Sequence, residues 1–278
     1  IVRTIVDDHD LLDLAIELVE QNVVINNGPD DSVTMPVKDG LTLISPGENL
    51  GVAEAINRGV ELLVESGYDK ALLMDQDSQI DDSLVTTLAH HLDEQERTGQ
   101  AVAAIGPRIR DHDDQTPAPF IRFRLPFNQR LQQEQGVVSC DFLITSGCLI
   151  NLTHWNDIGP MRTAWFIDNI DLEWCFRAHK RGFLVMGCFE ATLDHRIGER
   201  ERLFGLVSYR RHSPERLYTM MRNRVFLYRS GAPSAWIVQD ALRALGKLGL
   251  FSLIAPRFQH IRQMLRGVRD GFRTRPLP

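Results

Sequence analysis

Asp75, Gln76 and Asp77 follow directly on the apolar run Ala71-Leu72-Leu73-Met74. Two carboxylates one residue apart at a bend can converge on one hard cation. Mg²⁺ or Mn²⁺ held this way keeps positions open for phosphate oxygens. If the apolar run is a buried strand of an open α/β sheet, the pair faces the crevice where such sheets bind ligands. A solvated acidic turn has the same composition; the strand ahead of the pair is what favours a cation site.

A second group of carboxylates lies in Phe166-Ile167-Asp168-Asn169-Ile170-Asp171-Leu172-Glu173-Trp174-Cys175-Phe176-Arg177. Asp168, Asp171 and Glu173 cluster at a helix start, where the macrodipole favours negative charge. One of them could take a proton from an acceptor hydroxyl as general base. On spacing alone a structural account fits better, with Asp168 as a cap and Glu173–Arg177 as an i,i+4 ion pair. Trp174 fits an apolar platform for an acceptor and a core position equally well. His195 reads either as a third metal ligand or diphosphate contact, or as a capped or buried histidine.

These residues need elements to hold them. Short apolar runs alternate with helical patterns over the first two thirds of the chain, which predicts a mostly parallel sheet flanked by helices. Residues 1–5 read as a short strand rather than a signal peptide, and a helix is expected over residues 11–19. A strand follows at Val23-Val24-Ile25, then a helix from Val52 closed by Gly67. The strand of residues 71–74 leads into the carboxylate pair, followed by a helix from about Ser83. The strand from Ala101 is expected to stop at Gly106-Pro107. Residues 110–136 read as a long loop, residues 137–150 as strand, and Asn169–Arg181 as a helix ended by Gly182. A strand is expected over residues 183–188. Ser213-Pro214-Glu215 predicts an N-cap with proline at the first helical position, opening two or three C-terminal helices.

Charge is segregated along the chain. Residues 1–100 hold 5 Lys+Arg against 21 Asp+Glu, residues 101–200 hold 11 against 12, and residues 201–278 hold 15 against 4. A basic tail of this kind points to an anionic partner or to a solvated face near the acidic half. The four cysteines, Cys140, Cys148, Cys175 and Cys188, form no C-x-x-C pair and are expected as reduced, mostly buried thiols. No apolar run reaches the 18 residues that a membrane span requires.

The order Asn26-Asn27-Gly28, Asn49-Leu50-Gly51 with Asn57, Leu72-Leu73-Met74-Asp75-Gln76-Asp77-Ser78, Ser146-Gly147 and Asp171-Leu172-Glu173-Trp174-Cys175-Phe176-Arg177 with Gly182 resembles glycosyltransferase family 2. The D-Q-D-S form, the F-I-D-x-x-D-x-E-W-C-x-R block, Asp194-His195-x-x-Gly198 and Tyr218-x-x-x-Arg222-Asn223 are most similar to its rhamnosyltransferase branch. The resemblance spans roughly residues 1–230. It implies a GT-A fold, α/β and Rossmann-like, with a C-terminal helical extension. Residues 1–212 would form the catalytic domain, with nucleotide-sugar binding over about 1–110 and the acceptor side over about 137–212. Residues 213–278 would form the basic helical region.

The resemblance further implies inverting transfer of a sugar, with rhamnose from dTDP-rhamnose as the leading choice and a UDP-sugar as the alternative donor. The acceptor would be a saccharide or a lipid-linked saccharide in polysaccharide biosynthesis. Asp77 would bind the Mg²⁺ or Mn²⁺ on the diphosphate, with Asp75 supporting the metal or near the ribose and His195 as a further candidate ligand. Asp171 falls on the catalytic base. Asn26 and Asn49 fall on the donor side, and Ser146, Gly147, Asp168, Glu173 and Trp174 on the acceptor side. Asn26 stands where the family's V-D-N-x-S motif has aspartate; an amide can both donate to and accept from a pyrimidine edge.

The tail interleaves Trp236, Leu242, Leu245, Leu248 and Phe251 with Arg243, Lys247, Arg257, Arg262, Arg266, Arg269 and Arg273. It reads as an element lying on an anionic bilayer, or as a homodimer interface or a surface packed against the catalytic domain. The location implied is cytoplasmic, peripheral on the inner face of the membrane. No nucleic-acid reader motif accompanies the arginines. Two other classes remain: a non-catalytic binding or scaffold protein of the same fold, and a nucleotidyltransferase, whose Gly-rich basic loop is not seen.

Overall fold

A computed structural model of the chain describes residues 2–5, 20–28, 39–75, 78–79, 82–111, 116–195, 200–203, 207–210 and 212–275. The helix expected over residues 11–19 lies outside them. The chain divides into two compact units, one of residues 1–122, 129–166 and 170–196, the other of residues 123–128, 167–169 and 197–278.

The first unit is built on a mixed sheet. Its strands are β1 (Val2–Ile5), β2 (Asn22–Asn26), β3 (Leu41–Ile44), β4 (Lys70–Asp75), β5 (Ser78–Gln79), β6 (Val102–Asp111), β9 (Val137–Ser139), β10 (Cys148–Asn151) and β11 (Leu184–His195). The order is β3-β2-β1-β4-β10-β6-β11-β5, with β9 also on β11. Strands β1 to β4 are parallel neighbours, β10 runs antiparallel between β4 and β6, and β6 and β11 are parallel. The helices are α1 (Val52–Glu65), α2 (Asp82–Arg97), the single turn α3 (Trp155–Ile158) and α4 (Ile170–Lys180).

Both faces of the sheet are covered, as apolar strands require. Successive side chains of β4 alternate between two cores: Ala71 and Leu73 join Ile56, Val60 and Leu63 of α1, while Leu72 and Met74 join Leu84, Leu88 and Leu92 of α2. Leu84, Leu88 and Leu92 recur every four residues and are each at most 1% exposed, contributing about 1.5–3 kcal/mol apiece.

Three expectations are corrected. Strand β6 does not stop at Gly106-Pro107 but continues to Asp111. Its pairing with β10 involves only Ala104 and Ile105, whereas β11 stays beside it to Asp111. Beyond Ile105, β6 is carried by its pairing with β11, and Ile109 O also accepts from Ala118 N at 2.8 Å; Pro107 lies past the last residue paired with β10, where a missing N–H is tolerated. Residues 137–150 form two strands, β9 and β10, separated by residues 140–147. The loop expected over 110–136 contains a hairpin, β7 (Phe120–Arg122) with β8 (Gln129–Leu131).

The second unit holds the hairpin β12 (Arg200–Leu203) with β13 (Val207–Arg210) and three helices, α5 (Pro214–Arg229), α6 (Ser234–Phe251) and α7 (Arg257–Arg273). Ser213 caps α5 through Arg216 N–H at 3.2 Å, with Pro214 opening the helix. Leu217, Met221, Phe251 and Met264 form its core. Helix α7 lies with its backbone against α5: a Cβ at Gly267 would fall 2.3 Å from the Tyr218 carbonyl oxygen, and one at Gly271 2.7 Å from Val225 Cβ. No helix among the described residues is long and apolar enough to cross a membrane.

Candidate active site

The sheet sets the spacing of the donor-side residues. Asp75 ends β4 and Asn26 ends β2, on either side of β1, with Thr4 beside Asp75 and Ile5 beside Asn26. Two inter-strand steps put these ends about 10 Å apart, the scale of a nucleotide. Asn26 is 2% exposed, and its Oδ1 accepts the Gly28 N–H at 3.1 Å. Asn27 Oδ1 accepts from Leu50 N at 2.8 Å, tying the end of β2 to the loop before α1. In that loop the exposed Asn49 accepts from Gly51 N at 2.9 Å.

Asp75 is braced from β10. The buried Ser146 hydroxyl donates to Asp75 Oδ2 at 2.6 Å, and Gly147 N donates to Leu73 O at 2.8 Å. Gly147 has φ +74, and a Cβ there would lie 2.8 Å from Leu193 Cδ2. This turn therefore needs glycine on both conformational and steric grounds. Ser146 and Gly147, expected on the acceptor side, are structurally the supports of Asp75.

Asp171 is partly buried in the first turn of α4, and its Oδ1 accepts the Leu172 N–H at 2.8 Å. Burial pushes the Cys175 thiol up to about 12, with the Asp171 charge among the lesser causes. Cys148 is driven up in the same way, by burial first and by neighbouring negative groups including Asp171. Cys148 is the register partner of Leu73, two residues before Asp75. Ile170 and Cys175 of α4 share one buried core with Leu73 of β4 and Cys148 of β10. All four cysteines are buried and free.

Glu173 and Trp174 do not belong to an open acceptor surface. The Glu173 side chain is 4% exposed, and its oxygens accept from Arg162 Nε at 2.8 Å and Arg177 Nη2 at 2.7 Å. Arg177 in turn donates to the carbonyls of Gly159 and Pro160, both at 2.9 Å. Trp174 is 2% exposed, stacks on Trp155 at 5.9 Å and donates Nε1–H to Gly159 O at 3.1 Å. Both hold the 158–162 segment, which Asn57 grips as well through paired 2.8 Å bonds to the Met161 backbone. Asp168 belongs to the second unit, where its carboxylate meets Arg216 at 3.2 Å.

Asp77 and the side chain of His195 lie outside the described residues. The His195 backbone is described: β11 pairs antiparallel with β5, setting His195 against Ser78 and Asp194 against Gln79. That register brings the end of β11 to the residue after Asp77. Among the described residues, no three His, Cys, Asp or Glu side chains gather closely enough to hold a metal ion. The carboxylates of Asp75 and Asp77 are nevertheless donors suited to Mg²⁺ or Mn²⁺, whereas an imidazole such as that of His195 is a poor donor for Mg²⁺.

Two supports had no evident signal in the sequence. Arg110 Nε and Nη2 clamp Asp194 at 2.5 and 2.7 Å across the β6–β11 register, 84 residues apart in the chain. Phe166, Asp168 and Asn169 all have positive φ, near 65°, a strain of about 1–3 kcal/mol each for non-glycine residues. The Phe166 carbonyl is held by Val52 N at 2.7 Å. Asn223 Nδ2 donates to the carbonyls of Ile167 and Asp168 at 2.6 and 3.1 Å.

No family model matches the chain. In sequence it is 29% identical over 224 residues to the dTDP-rhamnosyl transferase RfbF of Shigella flexneri, covering 78% of this chain and 74% of that protein. In structure it matches S. aureus TarS with a TM-score of 0.56 and 11% identity, over 99% of this chain and 48% of TarS. It also matches GalNAc-T7, solved with UDP, GalNAc and Mn²⁺, with a TM-score of 0.50 and 11% identity over 78% of this chain and 46% of that one. The chain thus spans about half the length of each of these solved structures. In sequence this protein is rhamnosyltransferase-like, and its fold is that of the GT-A glycosyltransferases.

Proposed function

We propose that this protein is an inverting glycosyltransferase that moves a sugar from a nucleoside-diphosphate donor to a saccharide or lipid-linked saccharide. The observation that carries the reading is Asp75, braced by Ser146 at the carboxyl end of β4 beside its parallel neighbour β1. That is where open α/β sheets bind their ligands. The similarity to a dTDP-rhamnosyl transferase makes dTDP-rhamnose the first donor to test.

In this reading residues 1–212 are the catalytic domain, with the donor over about 1–110 and the acceptor side over about 137–212. Asn26 and Asn49 border the nucleotide. Asp77, Asp75 and His195 would hold Mg²⁺ or Mn²⁺, and the charge of that ion would offset the charge developing on the departing diphosphate. Asp171 takes the proton of the acceptor hydroxyl as its oxygen bonds to the anomeric carbon. The bond from that carbon to the diphosphate oxygen breaks on the opposite side, so configuration inverts and the nucleoside diphosphate leaves. Such an enzyme would work in the cytoplasm. Attachment to the inner membrane face or a homodimer through the C-terminal helices would keep it near a lipid-linked acceptor.

The test is a thermal-shift and turnover screen of nucleotide sugars with Mn²⁺ or Mg²⁺, beginning with dTDP-rhamnose. Metal-dependent stabilisation together with release of dTDP supports the reading. Stabilisation by nucleotide sugars with no turnover of any of them would favour a non-catalytic binding protein.

A further inference from the structure

We infer that the second unit carries a docking surface for an anionic lipid bilayer, in which a groove between α6 and α7 takes hydrocarbon chain and an arginine row on α7 meets lipid phosphates. This concerns how the proposed enzyme would meet a lipid-linked acceptor. It rests on the chemistry of the helices alone, and its test needs no sugar transfer.

Exposed apolar side chains are concentrated in this unit. Ten large hydrophobic residues stand out to solvent among the described residues, and all but Phe166 lie in the second unit. Val238, Leu242 and Leu245 recur along α6 at steps of four and three, so they form one stripe on a single helix face. Leu125 and Phe127 sit beside it, because Gln239 Nε2 holds the Arg124 carbonyl at 2.7 Å; Phe127 is 83% exposed. On α7, Phe258, Leu265 and Phe272 form a matching stripe, at 80%, 53% and 62% exposure.

A cavity of about 270 Å³ opens between the two stripes, walled by Leu245, Leu248, Leu265, Val268 and Phe272. Arg224 and Tyr228 also line it, but Asp240 already occupies them, accepting from Arg224 Nε at 2.5 Å and from the Tyr228 hydroxyl at 2.8 Å. A polar ligand therefore finds little to bind there, whereas an alkyl chain meets methyl and ring carbons.

Charge decides among possible occupants. Helix α7 holds five arginines and one acidic residue, Asp270, which Arg266 and Arg269 share. At helical spacing Arg262, Arg266, Arg269 and Arg273 run along the edge of the Phe258–Leu265–Phe272 stripe. This is the arrangement of a helix lying in a bilayer interface, with apolar residues directed to acyl chains and cations to headgroups. A symmetric dimer across the same face would set each arginine row against its own copy, so the lipid surface is the better complement.

The test uses the whole chain with vesicles of phosphatidylcholine, or of phosphatidylcholine mixed with phosphatidylglycerol. Cosedimentation should occur with phosphatidylglycerol vesicles in low salt, be lost as salt rises, and be absent with phosphatidylcholine alone. Changing Arg262, Arg266 and Arg269 together to Gln should lower partitioning by about 100-fold, at roughly 1 kcal/mol for each arginine. In Phe272→Trp, fluorescence should be quenched by phosphatidylglycerol brominated in its acyl chains, which places the stripe at chain depth. No binding to phosphatidylglycerol vesicles in low salt overturns the inference, and so does binding without quenching. Sedimentation velocity showing a dimer that Leu265→Ser dissociates would assign the face to a second copy of the chain. Should the triple variant fail to fold, the lipid and salt dependence of the unaltered chain still decides.

Discussion

Replacing Glu173 with glutamine should destabilise the first unit while sparing the chemistry. The carboxylate is buried at 4% exposure between two guanidinium groups, Arg162 at 2.8 Å and Arg177 at 2.7 Å. Glutamine keeps the shape but removes the charge and turns one acceptor into a donor facing cations. Removing one partner of a buried ion pair typically costs 3–5 kcal/mol, because the other charge is left uncompensated. The arginine side chains keep 22% and 13% exposure, so the lower end applies, about 3 kcal/mol. At about 2–4 °C per kcal/mol for a protein near this size, that lowers Tm by roughly 6–12 °C. Thermal and urea unfolding measure it. The Glu173→Gln/Arg177→Gln double variant should lose less than the sum of the singles by about 0.5–3 kcal/mol. Donor and acceptor kinetics of folded Glu173→Gln at low temperature should stay near those of the unaltered protein. An unchanged Tm with a kcat reduced more than a hundredfold would refute this reasoning and move the base from Asp171 to Glu173.

Asp77→Asn should abolish transfer with the fold intact, and Asp75→Asn should weaken metal-stimulated donor binding; calorimetry with dTDP and Mn²⁺ checks both, and equal affinity in Asp77→Asn would remove that residue from the metal site. Lys247 is contacted at 3.5 Å by the Met220 sulfur, and burial lowers its pKa to about 8. Between about pH 8 and the ordinary lysine value of 10.5, the unfolded chain therefore binds more protons than the folded one, and stability should rise with pH in that window. Lys247→Met should accordingly stabilise by about 2–3 kcal/mol at pH 7, with the gap narrowing to about 1 kcal/mol near pH 10, read from urea midpoints. Asn223→Ala removes the bonds to the carbonyls of Ile167 and the positive-φ Asp168 and should cost about 1–3 kcal/mol; an unchanged urea midpoint would mean that the loop holds its conformation without them.

Most of the sheet could be read from the chain because strand and helix periods differ. The β4 run, the α1 pattern ended by Gly67 and the Ser213-Pro214 cap each carry their own local signal. What could not be read depends on distant partners. Gly106-Pro107 looks like a stop, yet β6 continues because β11 pairs with it as far as Asp111. Asp168, Asp171 and Glu173 look alike as an acidic cluster, and only the fold separates a base candidate from a buried hub between two arginines. Trp174 has the same helical spacing whether it faces an acceptor or Trp155. The Arg110–Asp194 clamp depends on strand register between segments 84 residues apart, which leaves no periodic trace.

In the proposed mechanism Asp171 acts as the base in metal-assisted sugar transfer at the end of β4. The direct measurement is dTDP release from dTDP-rhamnose with Mn²⁺ and a lipid-linked saccharide acceptor, for the unaltered chain and for Asp171→Asn, beside calorimetric donor affinity. Turnover by the unaltered chain, a kcat lower by about 10²–10⁴ in Asp171→Asn, and the same donor Kd in both are expected. Near-normal turnover by Asp171→Asn at saturating acceptor would contradict that mechanism.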